Sequence, residues 1–212
     1  MSTASPAVLR IPVARRRRSL RIPGLLALGA LVLALVLSYI GTNVYASVAQ
    51  NDLEARFDRA LGEWSGLDPL ARGSIAYAQG DPIARLIVPE IALDVIVAEG
   101  ATPAIMRRAP GHLTGSATPG DEGVAIVTAN RFAFGSFFSR LGSLSVGDRL
   151  LTESALGRTT YTITEVRTVP RSRLDLSTDS TQRVLVLFAA ARMWGGSDRI
   201  VVRAVAEEAP KP

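Results

Sequence analysis

Charge disappears from the chain between Ile22 and Asn51. The centre of that run, Leu25 to Tyr45, is dominated by Leu, Ala and Val. About 20 such residues span the hydrocarbon of a bilayer as a helix. Tyr39 and Tyr45 lie near its far end, where aromatic rings favour the membrane interface. The pattern then turns amphipathic. Val48, Leu53, Phe57 and Leu61 recur near i, i+4 spacing, opposite Asp52, Glu54, Arg56, Asp58 and Arg59. This predicts a helix over 46–66 that continues from the apolar run as a stalk. Residues 67–80, with Pro69, Gly73 and Gly80, read as a linker.

Beyond Gly80 the period changes. Short apolar runs cover Arg85–Val88, Leu93–Ala98, Gly123–Thr128, Arg149–Thr152, Thr159–Val169, Arg183–Phe188 and Arg199–Ala204. Turn residues separate them: Pro89, Gly100, Pro119-Gly120-Asp121, Gly147-Asp148, Gly157 and Gly195-Gly196. Short strands at such intervals indicate an all-β sandwich or barrel. One short helix is expected at Pro103–Arg108. In Thr159–Val169, Tyr161 and Ile163 set an apolar face and Thr160, Thr162 and Thr164 a polar one. The phase then slips, because Glu165 falls on the apolar side, so a bulge is expected there.

Charge refines this layout. Six of the 24 basic residues, Arg10, Arg15–Arg18 and Arg21, lie in residues 1–21 with no acid among them. The remaining 18 face all 19 acidic residues, so the basic excess belongs to the tail. The folded part has no excess suited to nucleic acid. Positive flanks stay cytoplasmic, which places the carboxyl-terminal bulk outside the membrane and makes lipid the first partner. A cleavable signal peptide is the competing reading, with Ser47-Val48-Ala49 as small residues for a cleavage site. The apolar run exceeds the roughly 7–15 residues of a signal core and favours the uncleaved anchor. The expected layout is a tail over 1–21, an anchor over 22–45, a stalk and linker over 46–79, a β-domain over 80–207 and a tail over 208–212.

Composition bounds the chemistry. The chain has no Cys and one His, His112. Disulfides, thiolate metal sites and thiol nucleophiles are excluded together, and so is a His-based metal cluster. No cofactor is implied. Asp175 and Asp179 offer loop carboxylates to a calcium ion, although a solvated loop explains them as well.

Five blocks in order resemble the sortase family. Arg85-Leu86-Ile87-Val88-Pro89-Glu90-Ile91-Ala92-Leu93-Asp94-Val95-Ile96-Val97 is similar to the opening strand pair R-L-x-I-P-x-I-x-L-D-x-x-V. Ala109-Pro110-Gly111-His112, with Gly115 and Pro119-Gly120, is similar to G-P-G-H-x-x-G-T-x-x-P-G. Gly123 to Arg131 resembles G-N-V-A-I-A-G-H-R. Gly135, Phe137-Phe138, Arg140-Leu141 and Leu144-Ser145-Val146-Gly147-Asp148 resemble the loop ending F-x-x-L-x-x-L-x-x-G-D. Val184 to Ala191, then Arg199 to Ala204, resemble the last two strands, L-T-L-T-T-C and R-x-V-V-x-A. The loop around Phe134-Gly135 looks closest to class E. The resemblance implies an all-β, sortase-like closed barrel with short helices, preceded by one amino-terminal transmembrane helix.

It also implies chemistry that this chain lacks. In the family a thiolate attacks the Thr–Gly bond of a sorting signal, a histidine protonates the leaving amine, and an arginine steadies the oxyanion. The matching positions here are Ala190, Asn130 and Arg199. Alanine cannot form a thioester and asparagine cannot exchange a proton near neutral pH. The resemblance therefore points to a pseudoenzyme that binds a sorting-signal peptide or an envelope protein, with Asn130, Arg199, His112 and Trp194 as binding candidates. Arg199 has a second reading, as a vestige paired with Asp198 or another acid. Met193, Trp194, Phe188 and Phe134 are expected around the former cleft, either filling it or lining it. A non-cysteine enzyme would need Ser197, Thr128, Ser116 or Ser136 as nucleophile and His112 as base. A purely structural envelope domain is the third reading. A structural hydrogen-bonding role is favoured for His112.

Overall fold

The computed structural model describes residues 21–174, 177, 180–193 and 196–207. The calcium reading at Asp175 and Asp179, Trp194, and the tail arginines Arg10 and Arg15–Arg18 fall outside these residues. The chain divides into two units, residues 1–37 and 38–212. One helix, α1 (Arg21–Ser65), crosses that boundary. In the first unit its side chains from Gly24 onward are exposed, and the run is long and apolar enough to cross a membrane.

In the second unit, eight strands close a barrel in the order β1-β2-β3-β4-β7-β8-β6-β5. They are β1 (Pro82–Val88), β2 (Leu93–Glu99), β3 (Gly111–His112), β4 (Gly123–Thr128), β5 (Arg149–Ser154), β6 (Gly157–Pro170), β7 (Arg183–Ala190) and β8 (Asp198–Ala206). Each expected apolar run is a strand, and several extend past the expected ends. The strand not foreseen is β3, whose Ala-Pro-Gly setting reads as a turn. It pairs parallel with β2 and antiparallel with β4. Short helices α2 (Pro69–Gly73) and α3 (Pro103–Met106) begin with proline, and Asp68 and Thr102 cap their first turns. The register of β6 against β8 shifts between Ile163 and Glu165, where the alternation slips.

Alternation sorts the strand residues into two apolar layers. Leu86, Ala125, Val127, Ile163, Leu185, Leu187, Val202 and Ala204 point inward to the central core. Tyr161 is buried there, and its hydroxyl accepts the Gly120 N–H at 2.8 Å. On the opposite face of β4, β7 and β8, Val124, Ile126, Val184, Val186 and Val201 form an outer layer with Val169. Partly buried Leu113, Leu174 and Phe188 pack against it. Strands apolar on both faces, such as Val184–Leu187, read as continuous hydrophobic runs rather than alternating ones.

Within the second unit, α1 does not project as a stalk. Leu53, Phe57 and Trp64 pack on Ile96, Ala98, Ala109 and Ala155, and Ala46 is also buried. Val48, expected on the apolar face, is 63% exposed. Leu53, Phe57 and Leu61 of the expected stripe do face the barrel, and only at its start does the stripe shift, with Ala46 and Ala49 buried in place of Val48. Phe57 meets Trp64 edge to face at 5.8 Å, and Trp64 meets Tyr77 at 6.0 Å. The linker thus contributes to packing through Tyr77, whose hydroxyl burial and the nearby Glu99 charge push up to about 12. Gln50 ties the helix to β2: its Nε2 donates to the Ile96 and Arg108 carbonyls, each at 3.2 Å, and its Oε1 accepts the Ile96 N–H at 2.8 Å.

This packing sets a test. Phe57→Ala is expected to cost about 3–5 kcal/mol, the range for a buried aromatic cut to alanine. Val48→Ala is expected to change stability by less than about 0.5 kcal/mol. Chemical denaturation of the full chain in detergent measures both, and equal effects would contradict the packed helix.

Candidate functional site

The end of β7 is where chemistry would gather. The parallel register of β4 and β7 sets Thr128 beside Phe188. Asn130 follows Thr128 by two residues, which brings it level with Ala190. Ala190 in turn pairs with Arg199 across β7 and β8. Inward positions at this level are Ala129, Ala189 and Ile200, all in the central core. By alternation Ala190 and Arg199 therefore take the opposite, outer face of β7 and β8, with Asn130 two residues beyond the end of β4. Their backbones follow the same layer as Ile126, Val186 and Val201.

Local bonds fix each position. Asn130 Nδ2 donates to the Met106 carbonyl at 2.8 Å, and the Asn130 carbonyl accepts the Phe138 N–H at 3.2 Å. The amide thus anchors the end of α3 beside the loop after β4. Arg107 adds a second tie, its guanidinium 5.7 Å from the Phe134 ring centroid. Phe134, Gly135 and Ser136 all have positive φ (50°, 83° and 46°), so this loop is backbone-determined over three residues. Arg199 Nη1 donates to the carbonyls of Ser197 at 3.1 Å and Asp198 at 3.0 Å. Its partner at the strand start is therefore the Asp198 backbone rather than the carboxylate. Of the expected aromatic and Met cluster, Phe188 joins the outer layer, while Met193 is 57% exposed.

The candidate replacement nucleophiles scatter. Ser197 is exposed before β8, Thr128 is buried on β4, and Ser136 sits in the left-handed loop. Only Ser116 meets the histidine. Ser116 Oγ lies 2.8 Å from His112 Nε2, and His112 Nδ1 lies 2.7 Å from Glu99 Oε2. These are the contacts of a Ser–His–Glu chain, but the hydrogens run the wrong way for catalysis. His112 Nε2 also faces the Ala117 carbonyl at 2.9 Å, and Ser116 Oγ faces the Leu113 carbonyl at 2.7 Å. Carbonyls only accept, so the ring donates at Nε2 and the serine gives its hydrogen to Leu113. Ser116 Oγ also accepts the Ile126 N–H at 3.2 Å. The hydroxyl has no route to deprotonation by this ring, and His112 is buried at 3% exposure.

The network is a structural clamp instead. Glu99 and His112 are paired residues of β2 and β3. Burial pushes the Glu99 carboxyl up, but hydrogen bonds from His112 and Thr114, with the His112 charge, outweigh it and hold the carboxyl below its ordinary value. Thr114 Oγ1 donates to Glu99 Oε1 at 2.7 Å. Glu99 was not legible as a site residue, because its partner lies on a two-residue strand that spacing does not reveal. Arg131 was likewise not singled out. Its Nη1 donates to the Ala191 carbonyl at 2.6 Å and its Nε to Ser139 at 3.2 Å, holding the turn after β7. Among the described residues no group of three or more His, Cys, Asp or Glu is placed to hold a metal.

Comparison with known proteins accords with this geometry. Residues 86–207 match the Sortase domain. A Clostridium perfringens Sortase D5 transpeptidase superposes with a TM-score of 0.63 at 20% identity, over 77% of this chain and 99% of that one. A lid mutant of sortase A from Corynebacterium diphtheriae gives 0.57 at 22% identity, over 62% and 73%. Sortase C from Clostridium perfringens, solved with the C-terminal cell wall sorting motif, gives 0.58 at 16% identity, over 75% and 89%. No curated protein matches the sequence.

The clamp predicts a pH signature. A carboxyl held below its ordinary value of 4.5 contributes stability that is complete above that value and is lost as pH falls through the folded-state value. Glu99→Gln should lower stability by about 1–3 kcal/mol at neutral pH, because it disrupts the buried hydrogen bonds that His112 and Thr114 make to the carboxylate. The gap between native and variant should be constant above pH 4.5 and close below it. Denaturation curves across pH decide this; a gap that widens on acidification would contradict the assignment.

Proposed function

Because the chain belongs to the sortase family, we infer that it is a membrane-tethered pseudoenzyme, which binds a peptide or an envelope partner on the outer face of β4, β7 and β8 without cleaving it. The observation that carries this reading is the paired loss of chemistry at neighbouring positions. Ala190 stands at the end of β7 in a chain with no cysteine, so no thioester can form. Asn130 offers no titratable proton, and its amide nitrogen is engaged by Met106. Two losses in one constellation favour abandoned catalysis over a changed mechanism. Nor does Ser116 rescue it, since its hydrogen goes to Leu113.

Retention of binding rests on what is left. Arg199 keeps a fixed positive charge next to Ala190, and guanidinium suits peptide carbonyls and carboxylates. The outer layer beneath it is apolar. The sortase C neighbour was solved with a cell wall sorting motif, which supports a peptide as the ligand class. The amino terminus lies inside and the barrel outside, because Arg15–Arg18 precede the apolar run.

Two experiments test this. The full chain, in detergent, should neither cleave nor transfer sorting-signal peptides containing a Thr–Gly bond. It should bind one, and Arg199→Ala should weaken that binding by about tenfold, the worth of one charged hydrogen bond. Asn130→His with Ala190→Cys should restore only weak turnover, since a misplacement of about 1 Å costs about a hundredfold. Turnover by the unmodified chain that is lost on Ser116→Ala or His112→Ala would overturn the pseudoenzyme reading. For topology, protease added to intact spheroplasts should digest the barrel and spare the tail. The reverse pattern would refute the orientation.

A further inference from the structure

A cavity of about 690 Å³ opens at the barrel mouth, with Arg131, Arg140 and Arg192 among its lining residues. It is separate from the apolar outer layer of β4, β7 and β8. Thr168 and Ile200, which also line it, pair across β6 and β8, and Ile200 belongs to the central core rather than the outer layer. Asp198 is the one carboxylate in its lining among the described residues. Among the described residues, none of the three guanidinium groups is in an ion pair, although Arg56, Arg85, Arg108, Arg149, Arg158 and Arg167 all are. The cavity therefore concentrates a net positive charge that the fold does not neutralise.

Arg131 is held in place for this role. Its Nη1 and Nε are fixed by the Ala191 and Ser139 carbonyls, and its guanidinium carbon sits 5.2 Å from the Phe132 ring centroid. That leaves Nη2 for a ligand. The floor beside it is Gly142. A Cβ there would lie 3.0 Å from Ile200 Cδ1 and 3.6 Å from Arg131 Nη2, so the missing side chain keeps this part of the cavity clear. Arg140 is only loosely committed, with Nη1 3.5 Å from the Ile91 carbonyl. Arg192 is exposed. One guanidinium fixed by backbone bonds and two without ion-pair partners among the described residues, around a glycine floor and flanked by the hydroxyl-bearing Ser139 and Thr168, suit a tetrahedral oxyanion carried on a polyol.

We propose that this cavity binds a phosphate ester, with the phosphate between Arg131, Arg140 and Arg192 over Gly142. The site is independent of the peptide reading, because it uses neither Arg199 nor the outer layer. Phosphate esters could reach it as soluble molecules or as lipid head groups, and the test separates these sources. Calorimetric titration of the full chain in an uncharged detergent with glycerol 1-phosphate should give saturable, salt-sensitive binding. Arg140→Gln and Arg192→Gln should each weaken it by about tenfold. Gly142→Val should weaken it with no change of charge, and the melting temperature of the arginine variants should stay that of the native chain. Absence of saturable binding to the native chain, or equal affinity in all four proteins, overturns the proposal. In nanodiscs, phosphatidylglycerol should suppress the titration relative to phosphatidylcholine if the ligand is a lipid head group. Equal titrations in both assign a soluble phosphate ester.

Discussion

The Glu99–His112 pair is the contact through which the barrel closes. Between β2 and β4 the sheet narrows to β3, two residues long, so backbone pairing there is slight. Ladder hydrogen bonds over so short a strand cannot hold the closure against the twist of the longer ones. A buried cross-strand pair, backed by Thr114, Ser116 and the Ala117 carbonyl, does it instead. Close backbone approach is part of the same device. A Cβ at Gly111 would collide with the Gly100 carbonyl oxygen, so glycine is required where β3 meets the end of β2. The one histidine is thus committed to architecture. That commitment removes the base any serine mechanism would need.

Much of the fold was legible because strands apolar on one or both faces, bounded by Gly and Pro, leave an unambiguous pattern. The bulge after Ile163 was legible for the same reason: a phase slip in alternation has few physical causes. The strand β3 was hidden, since two residues carry no periodicity and its Pro-Gly context signals a turn. The inward stripe of α1 is legible at Leu53, Phe57 and Leu61 but not at its start, because small residues such as Ala46 pack closely yet carry little hydrophobic signal. The adjacency of Ala190 and Arg199 followed from reading β7 and β8 as a pair, and the register bears that adjacency out. The three barrel-mouth arginines were not legible, because Arg131, Arg140 and Arg192 are far apart in sequence and converge only through the loops around the rim.

The scaffold and the chemistry of this fold are separable in physical terms. Position 190 contributes backbone pairing at the end of β7, and a side chain as small as alanine suffices there. Asn130 contributes an amide that ties α3 to the loop after β4, a role imidazole would fill with different geometry. Neither position belongs to the buried core, whose large side chains are Phe57, Phe138, Tyr161 and the aliphatic residues of the strands. Stability therefore places little constraint on either site residue. The fold can keep its closure, its outer face and its arginine while the reactive groups change.

The Gln50 side chain carries a consequence for how the barrel edge meets other chains. The strand β2 pairs with β3 only through Ala98 and Glu99, which leaves its earlier residues with an open side. An unpaired edge is a template for a foreign strand and the usual origin of intermolecular β-stacking. Gln50 presents an amide to Ile96 with the donor and acceptor of a peptide group, so one side chain imitates the missing neighbour. The amide engages both the N–H and the carbonyl of Ile96, so an incoming strand must displace it there. Pairing of a foreign strand with this edge is thereby opposed at Ile96 by a single amide.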